Sequence, residues 1–285
     1  MISSPSTSDR ELPAQRAAIS RPFVSVITVC FNAERYLEQC VQSVLAQDFA
    51  DFEYLVIDGG SKDGTLRIIE RYASSLAYWH SKPDRGIADA FNIGVRESRG
   101  EWLMFVNADD YLHDLHALSS LAAQARQHPE ADVVYGQVIF VTRERSPRPI
   151  GRPYGAPFSW FRLVLWRAIP HPAALTSRRF FDRVGRFDES YLGADYELYL
   201  RGGPDLKALH TPVPITCMRE GGASRAQLRQ ILRDWYRSVT GTRALSPVVA
   251  WPLYCLFFFR LGARRVKRHV LDFFRGRTAP DVDGD

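Results

Sequence analysis

The chain has 285 residues, 46% of them hydrophobic and 24% charged. That balance is average for a soluble globular protein. It excludes a largely disordered, collagenous or coiled-coil chain and leaves one compact domain of enzyme size with terminal additions as the expectation. Lys and Arg number 37 against 32 Asp and Glu, a formal charge of +5, so the distribution of charge says more than the total.

Residues 1–22 are rich in Ser, Pro, Ala and Arg without an apolar core. They read as a flexible tail, not a secretory signal. Order is expected from Phe23. The run FVSVITVC (23–30) suits a strand buried on both faces. Asn32 is placed to cap a following helix that carries Tyr36, Leu37, Val41, Val44 and Leu45. EYLVID (53–58) predicts a second strand, and DGGSKDG (58–64) a tight turn whose glycines can take positive φ. A short helix over 65–72, a strand over 76–80, a helix over 87–97 and a strand over 101–106 follow. NADD (107–110) then stands at a strand end, before a helix over 115–126 and a strand over 132–141.

Alternating strands and helices imply a mostly parallel sheet flanked by helices, an α/β fold. In such sheets ligands bind outside the carboxyl ends of the strands. The polar clusters 58–64, 83–89 and 107–110 all fall on that edge.

Residues 143–170, rich in Pro, Gly, Arg and aromatics, read as a long excursion of the kind that forms functional lids. Short elements resume over 171–220, with helices near 178–184 and 194–201. Beyond residue 222 the character changes. Arg225, Arg229, Arg233 and Arg237 recur every fourth residue, on one helical face. Residues 248–259 are apolar but too short to span a bilayer. Residues 262–277 carry six basic side chains against one acid, beside an apolar side. This basic amphipathic region, 223–285, is expected to lie against an anionic membrane surface. Cys30, Cys40, Cys217 and Cys255 form no CxxC pair and no disulfide framework, so reduced thiols in a cytosolic compartment are expected.

The sharpest local feature is Asn107-Ala108-Asp109-Asp110. Neighbouring carboxylates repel unless a cation or donors compensate. A hard divalent cation takes one or two carboxylates together with substrate phosphates. The same four residues also make an ordinary turn. The 58–64 cluster is neither a P-loop nor a GxGxxG fingerprint, and Ser61 or Asp63 is expected to cap the helix after it.

Together, SVITVCFNAERYLEQCVQSVLAQ, YLVIDGGSKDGT and KPDRGIADAFNIGVRESRGEWLMFVNADD resemble the ordered motifs of family 2 of the inverting nucleotide-sugar glycosyltransferases. The likeness runs over 23–222 and is nearest to bacterial colanic acid, O-antigen and exopolysaccharide enzymes. It implies a GT-A fold, with a nucleotide-sugar-binding part at 23–141 and an acceptor part at 142–222. It also implies a nucleotide-diphosphate sugar donor, UDP-sugar favoured, and Mg²⁺ or Mn²⁺. Carried over by position, Asp58 matches the acid at the nucleoside base. Asp84 and Arg85 stand beside base and diphosphate, and Asn107 to Asp109 match the DXD triplet, departing from it by Asn at the first position. Asp109 is then the leading metal ligand, with Asp110 the alternative.

Asp195, in Ala194-Asp195-Tyr196-Glu197, matches the catalytic base. His171 and Trp160 are candidates for acceptor or diphosphate contact. The resemblance and the basic C-terminus together suggest a lipid-linked saccharide acceptor, at the cytoplasmic face of the inner membrane. A catalytically silent nucleotide-sugar-binding or scaffold subunit is the alternative from another class. No nucleic-acid recognition motif is present.

Overall fold

The computed structural model describes residues 21–144, 146–166, 169–221 and 228–257. The expectations for most of the N-terminal tail, for Arg225 and for the basic segment 262–277 lie outside these residues.

In chain order the elements are β1 (Val24–Cys30), α1 (Leu37–Leu45), β2 (Phe52–Asp58), α2 (Thr65–Tyr72), β3 (Tyr78–Ser81), α3 (Ile87–Glu97), β4 (Trp102–Asn107), β5 (Tyr111–Leu112), α4 (Ala117–Gln127), β6 (Val133–Val141), α5 (Trp160–Trp166), β7 (Ala174–Ser177), α6 (Arg178–Val184), α7 (Ala194–Arg201), β8 (Ala208–Arg219) and α8 (Leu228–Gly241). Residues 247–257 are again helical. Every residue of β1 is buried, as a strand covered on both faces requires. Side chains alternate across it. Val24 and Val26 meet Leu37, Val41, Ile69 and Leu118 on one side, while Ile27 and Val29 meet Phe91, Phe181, Tyr199 and Trp235 on the other. The result is a sheet between two helical layers.

The eight strands lie in the order β3-β2-β1-β4-β7-β6-β8-β5. β1 to β4 are mutually parallel, as the strand–helix alternation predicts. The second half is mixed, which the expectation of a mostly parallel sheet did not include. β7 runs antiparallel between β4 and β6, β8 is parallel to β6, and the short β5 is antiparallel at the far edge. Two antiparallel neighbours restore the original direction, so β6 and β8 end on the same edge as β1 to β4.

Two local expectations change. Asn32 does not cap α1: it sits at φ 48, its Oδ1 accepts from the Lys62 amide at 2.9 Å, and its own amide donates to Ser61 Oγ at 2.8 Å. It ties the loop after β1 to the turn after β2. The excursion after β6 begins as a hairpin on that strand, with the Val138 and Tyr154 amides donating to each other's carbonyls at 2.8 and 2.7 Å. Past residue 222 the helices pack on the main body. Trp235 and Val239 of α8 and Ala250 after it belong to the second core cluster, and Trp235 Nε1 donates to the Val164 carbonyl at 2.8 Å.

Candidate functional site

The strand ends fix the site. In register, Cys30 pairs with Asp58 and Asp58 with Ser81, while Val29 pairs with Asn107. Neighbouring strands lie about 4.8 Å apart, so Asp58 and Asn107 flank β1 with roughly 10 Å between their backbones.

Asp58 is fully buried. A carboxylate offers about four lone-pair positions, and four donors fill them. Ser61 Oγ at 2.5 Å and the Cys30 thiol at 3.6 Å reach Oδ1, and the Ser61 amide at 3.0 Å and Ser81 Oγ at 2.5 Å reach Oδ2. Asp58 thus joins β1, β2 and β3 at their ends. Both of its oxygens already accept from the chain's own donors. Burial, then the Asp58 charge, pushes the Cys30 thiol far up, so it stays a thiol that can donate.

The turn after Asp58 delivers a different acid. Gly60 takes φ +83, and a side chain at Gly59 would meet Asp84 Oδ2 at 2.7 Å. The glycine therefore leaves room for the Asp84 carboxylate, which leans over the turn from the loop before α3. Asp84 Oδ1 accepts from the Gly86 amide at 2.9 Å. Burial raises its pKa, yet the side chain remains partly open at the edge. Beside it, Arg85 spans from Asp89 Oδ1 at 3.1 Å to Glu189 Oε1 at 3.0 Å, with its side chain 73% exposed. The cap position of α2 is Gly64, not Ser61 or Asp63 as expected, but Asp63, one residue earlier, accepts from the Thr65 amide at 3.0 Å.

At the end of β4 the two adjacent acids have opposite surroundings. Asp110 is 1% exposed. Its Oδ2 accepts from Asn107 Nδ2 at 3.2 Å and its Oδ1 from the Arg219 amide at 3.2 Å. Burial, then the Asp109 charge, pushes its carboxyl well above the usual range. Asp110 ties β4 to β8 through these two donors. Asp109 keeps its side chain 32% exposed, with Arg143 Nη2 at 3.7 Å. Asn107 Oδ1 is buried with no hydrogen-bond partner among the described residues.

No group of three or more His, Cys, Asp or Glu side chains that could hold an ion is found among the described residues. Asp109 with the unpaired Asn107 oxygen is a thin donor set. It fits a hard cation whose other positions are filled by a substrate's phosphates.

The proposed base comes from the second half of the chain. Asn92 of α3 holds the backbone of Phe187 twice, each bond 3.0 Å, and Glu189 takes Arg85. These contacts bring loop 185–193 to the 83–89 cluster. α7 then starts with Asp195 in its first turn, where the positive end of the helix favours a carboxylate. Asp195 is partly exposed and near Tyr199, whose hydroxyl is pushed up by burial and further by the Asp195 charge. Tyr199 Oη lies 3.1 Å from His171 Nδ1, and the His171 ring stacks 5.0 Å from Phe105, two residues before Asn107.

His171 is 5% exposed and walled by Phe91, Phe105 and Phe187. That is a packed side chain. Trp160 is half-buried against the second core cluster.

Sequence reasoning passed over Tyr36, Arg143 and Arg219. Arg219 is 2% exposed. Its guanidinium lies 4.5 Å over the Tyr36 ring and 5.1 Å over the Tyr111 ring, and its Nη1 donates to the Asp109 carbonyl. These residues stand more than 100 positions apart in places, with no local spacing to mark them.

Known proteins share the family and the fold. The chain is 29% identical over 259 residues to a PGL/p-HBAD biosynthesis glycosyltransferase of Mycobacterium tuberculosis, covering 82% of this chain and 98% of that protein. Among solved structures it resembles Staphylococcus aureus TarS residues 1–349 in complex with UDP-GlcNAc, with a TM-score of 0.61 at 19% identity over 82% of this chain and 71% of that one. It also resembles the mannosyltransferase PcManGT of Pyrobaculum calidifontis in complex with GDP-Man and Mn²⁺, with a TM-score of 0.59 at 18% identity over 90% and 82%. Both share the GT-A-like α/β architecture. The glycosyl transfer enzymes described as "Glycosyl transferase family 2" match residues 25–184, and the chain belongs to that family.

Proposed function

We propose that the chain transfers a sugar, with inversion, from a nucleoside-diphosphate sugar to a lipid-linked saccharide in bacterial surface polysaccharide assembly. A UDP-sugar is favoured as the donor. The observation that carries this reading is the meeting of distant acids at one sheet edge. Asp84, Asn107 and Asp109 stand at or just past the carboxyl ends of the parallel strands, and Arg85 pairs with Glu189 in the loop that leads to Asp195.

Asp84 offers a carboxylate to the N–H groups of a base, in place of the enclosed Asp58. Arg85 stands by the diphosphate. Asp109, with Asn107 beside it, would hold Mg²⁺ or Mn²⁺, which when bound supplies Lewis-acid stabilisation of the leaving diphosphate. Asp195 takes the proton of the acceptor hydroxyl as that oxygen bonds to the anomeric carbon. The bond from carbon to diphosphate breaks and its electron pair leaves on the diphosphate. One base suffices for such an in-line displacement, and no enzyme nucleophile is needed.

The lipid part of the reading rests on the last helices. Val248, Val249, Trp251 and Leu256 are exposed, near exposed Arg229, Arg233 and Arg237. Apolar and basic surface together suits peripheral attachment to anionic lipid. No helix among the described residues is long and apolar enough to cross a membrane.

Asp195→Asn tests the chemistry. Transfer should fall by about 100-fold or more while nucleotide binding stays within about threefold. Transfer within about tenfold of wild type in a folded variant refutes the assignment. For the membrane part, the full chain and a Trp251→Glu/Leu256→Glu variant should differ in co-sedimentation with anionic vesicles, the variant binding less. Equal binding sinks that part alone.

A further inference from the structure

Arg143 stands at the carboxyl end of β6, in the hairpin that folds back along that strand. Its guanidinium is fixed on two sides. Nε donates to Tyr36 Oη at 3.4 Å and Nη1 donates to the Glu220 carbonyl at 3.2 Å. The Tyr36 ring lies beneath it at 5.3 Å, and the Tyr36 hydroxyl donates back to the Arg143 carbonyl at 3.3 Å. Nη2 is the exception. It faces Asp109 Oδ2 at 3.7 Å, beyond a direct hydrogen bond, and makes no hydrogen bond among the described residues. The side chain is 40% exposed.

An arginine held on two sides, with its remaining guanidinium nitrogen, Nη2, turned to an open carboxylate, is arranged to bind an anion. We propose that Arg143 is a built-in cation of the donor site: it balances Asp109 in the empty protein and binds the nucleotide's diphosphate when the donor arrives. This rests on the nucleotide-sugar reading above. Charge supports it. Asp109 and the two charges of a sugar-nucleotide diphosphate leave one negative charge uncompensated beside a divalent ion, and one guanidinium removes it. Asp110 stands outside this balance, its carboxyl supplied by the Asn107 side chain and the Arg219 amide, and so does Arg85, which is already paired with Asp89 and Glu189. The same placement makes Arg143 and the ion competitors for Asp109 before the nucleotide binds.

Two ligands should therefore respond in opposite directions. In full-length Arg143→Gln, calorimetry with UDP in EDTA should show affinity reduced about tenfold or more. Mn²⁺ binding to the nucleotide-free protein, read by the signal of the free ion in electron paramagnetic resonance, should tighten severalfold. Arg143→Lys should recover part of the UDP affinity. A merely structural role would weaken both ligands together. UDP affinity within twofold of wild type, or Mn²⁺ and UDP weakening in parallel, overturns the proposal and leaves the nucleotide-sugar reading standing. Failure of UDP, GDP and dTDP alike to bind the wild-type chain overturns both.

Discussion

The two edges of the sheet treat their acids differently. At the amino edge, Glu53 is 6% exposed and Asp132 is 1% exposed. Glu53 receives Ser25 Oγ at 2.8 Å and Arg99 at 3.0 Å. Asp132 holds both terminal nitrogens of Arg183, at 3.0 and 2.8 Å, and the Lys207 amide at 3.1 Å. Each acid is enclosed and supplied with donors from the chain itself. At the carboxyl edge, Asp109 and Asp84 stay partly open, and Asn107 carries an oxygen with no partner among the described residues. A buried polar group left unpaired costs free energy that a ligand can recover, which is why the incompletely supplied edge is the one proposed to bind. Asp58 and Asp110 are instructive because they break the pattern: they stand at the carboxyl edge yet are enclosed like the acids opposite.

That contrast can be broken by substitution. The largest effect is expected at the closed edge. Asp132→Ala leaves Arg183 without its partner and should cost about 2–3 kcal/mol in urea unfolding. This is below the figure for a wholly buried pair, because Arg183 is half exposed and solvent screens it. Asp58→Asn comes next. An amide cannot accept from all four of its donors, so stability should fall by about 1–2 kcal/mol, with nucleotide affinity falling through the disturbed turn. Unchanged stability would show that Asp58 is not the joint the geometry makes it. The smallest stability effect belongs to Asp109→Asn, within about 0.5 kcal/mol of wild type, although Mn²⁺ should no longer strengthen UDP binding. A large loss of stability there would place Asp109 with the enclosed acids instead.

Much of the first half was legible in the sequence. Strands buried on both faces announce themselves as unbroken apolar runs, such as VSVITVC and WLMFV. In a parallel αβ run the chain order places every second loop on the same edge, so the clusters around Asp58, Asp84 and Asp109 could be set side by side before any coordinates. The direction of β7 was not legible, because a four-residue buried strand reads the same in either orientation. Nor was the merging of α8 with the main core: its arginines mark the exposed face, while Trp235 and Val239, on the hidden face, carry the packing.

What the sequence determined alone was the fold class, the family and which loops meet at the edge, because periodicity and motif order are local properties of the chain. Only the tertiary structure separated Asp58 from Asp84 and Asp109 from Asp110, and it brought Arg143 to Asp109. The reason is physical: a carboxylate's role depends on which donors surround it and how much water reaches it. Those donors come from β1, β3, β6 and β8, at separations that no motif spans.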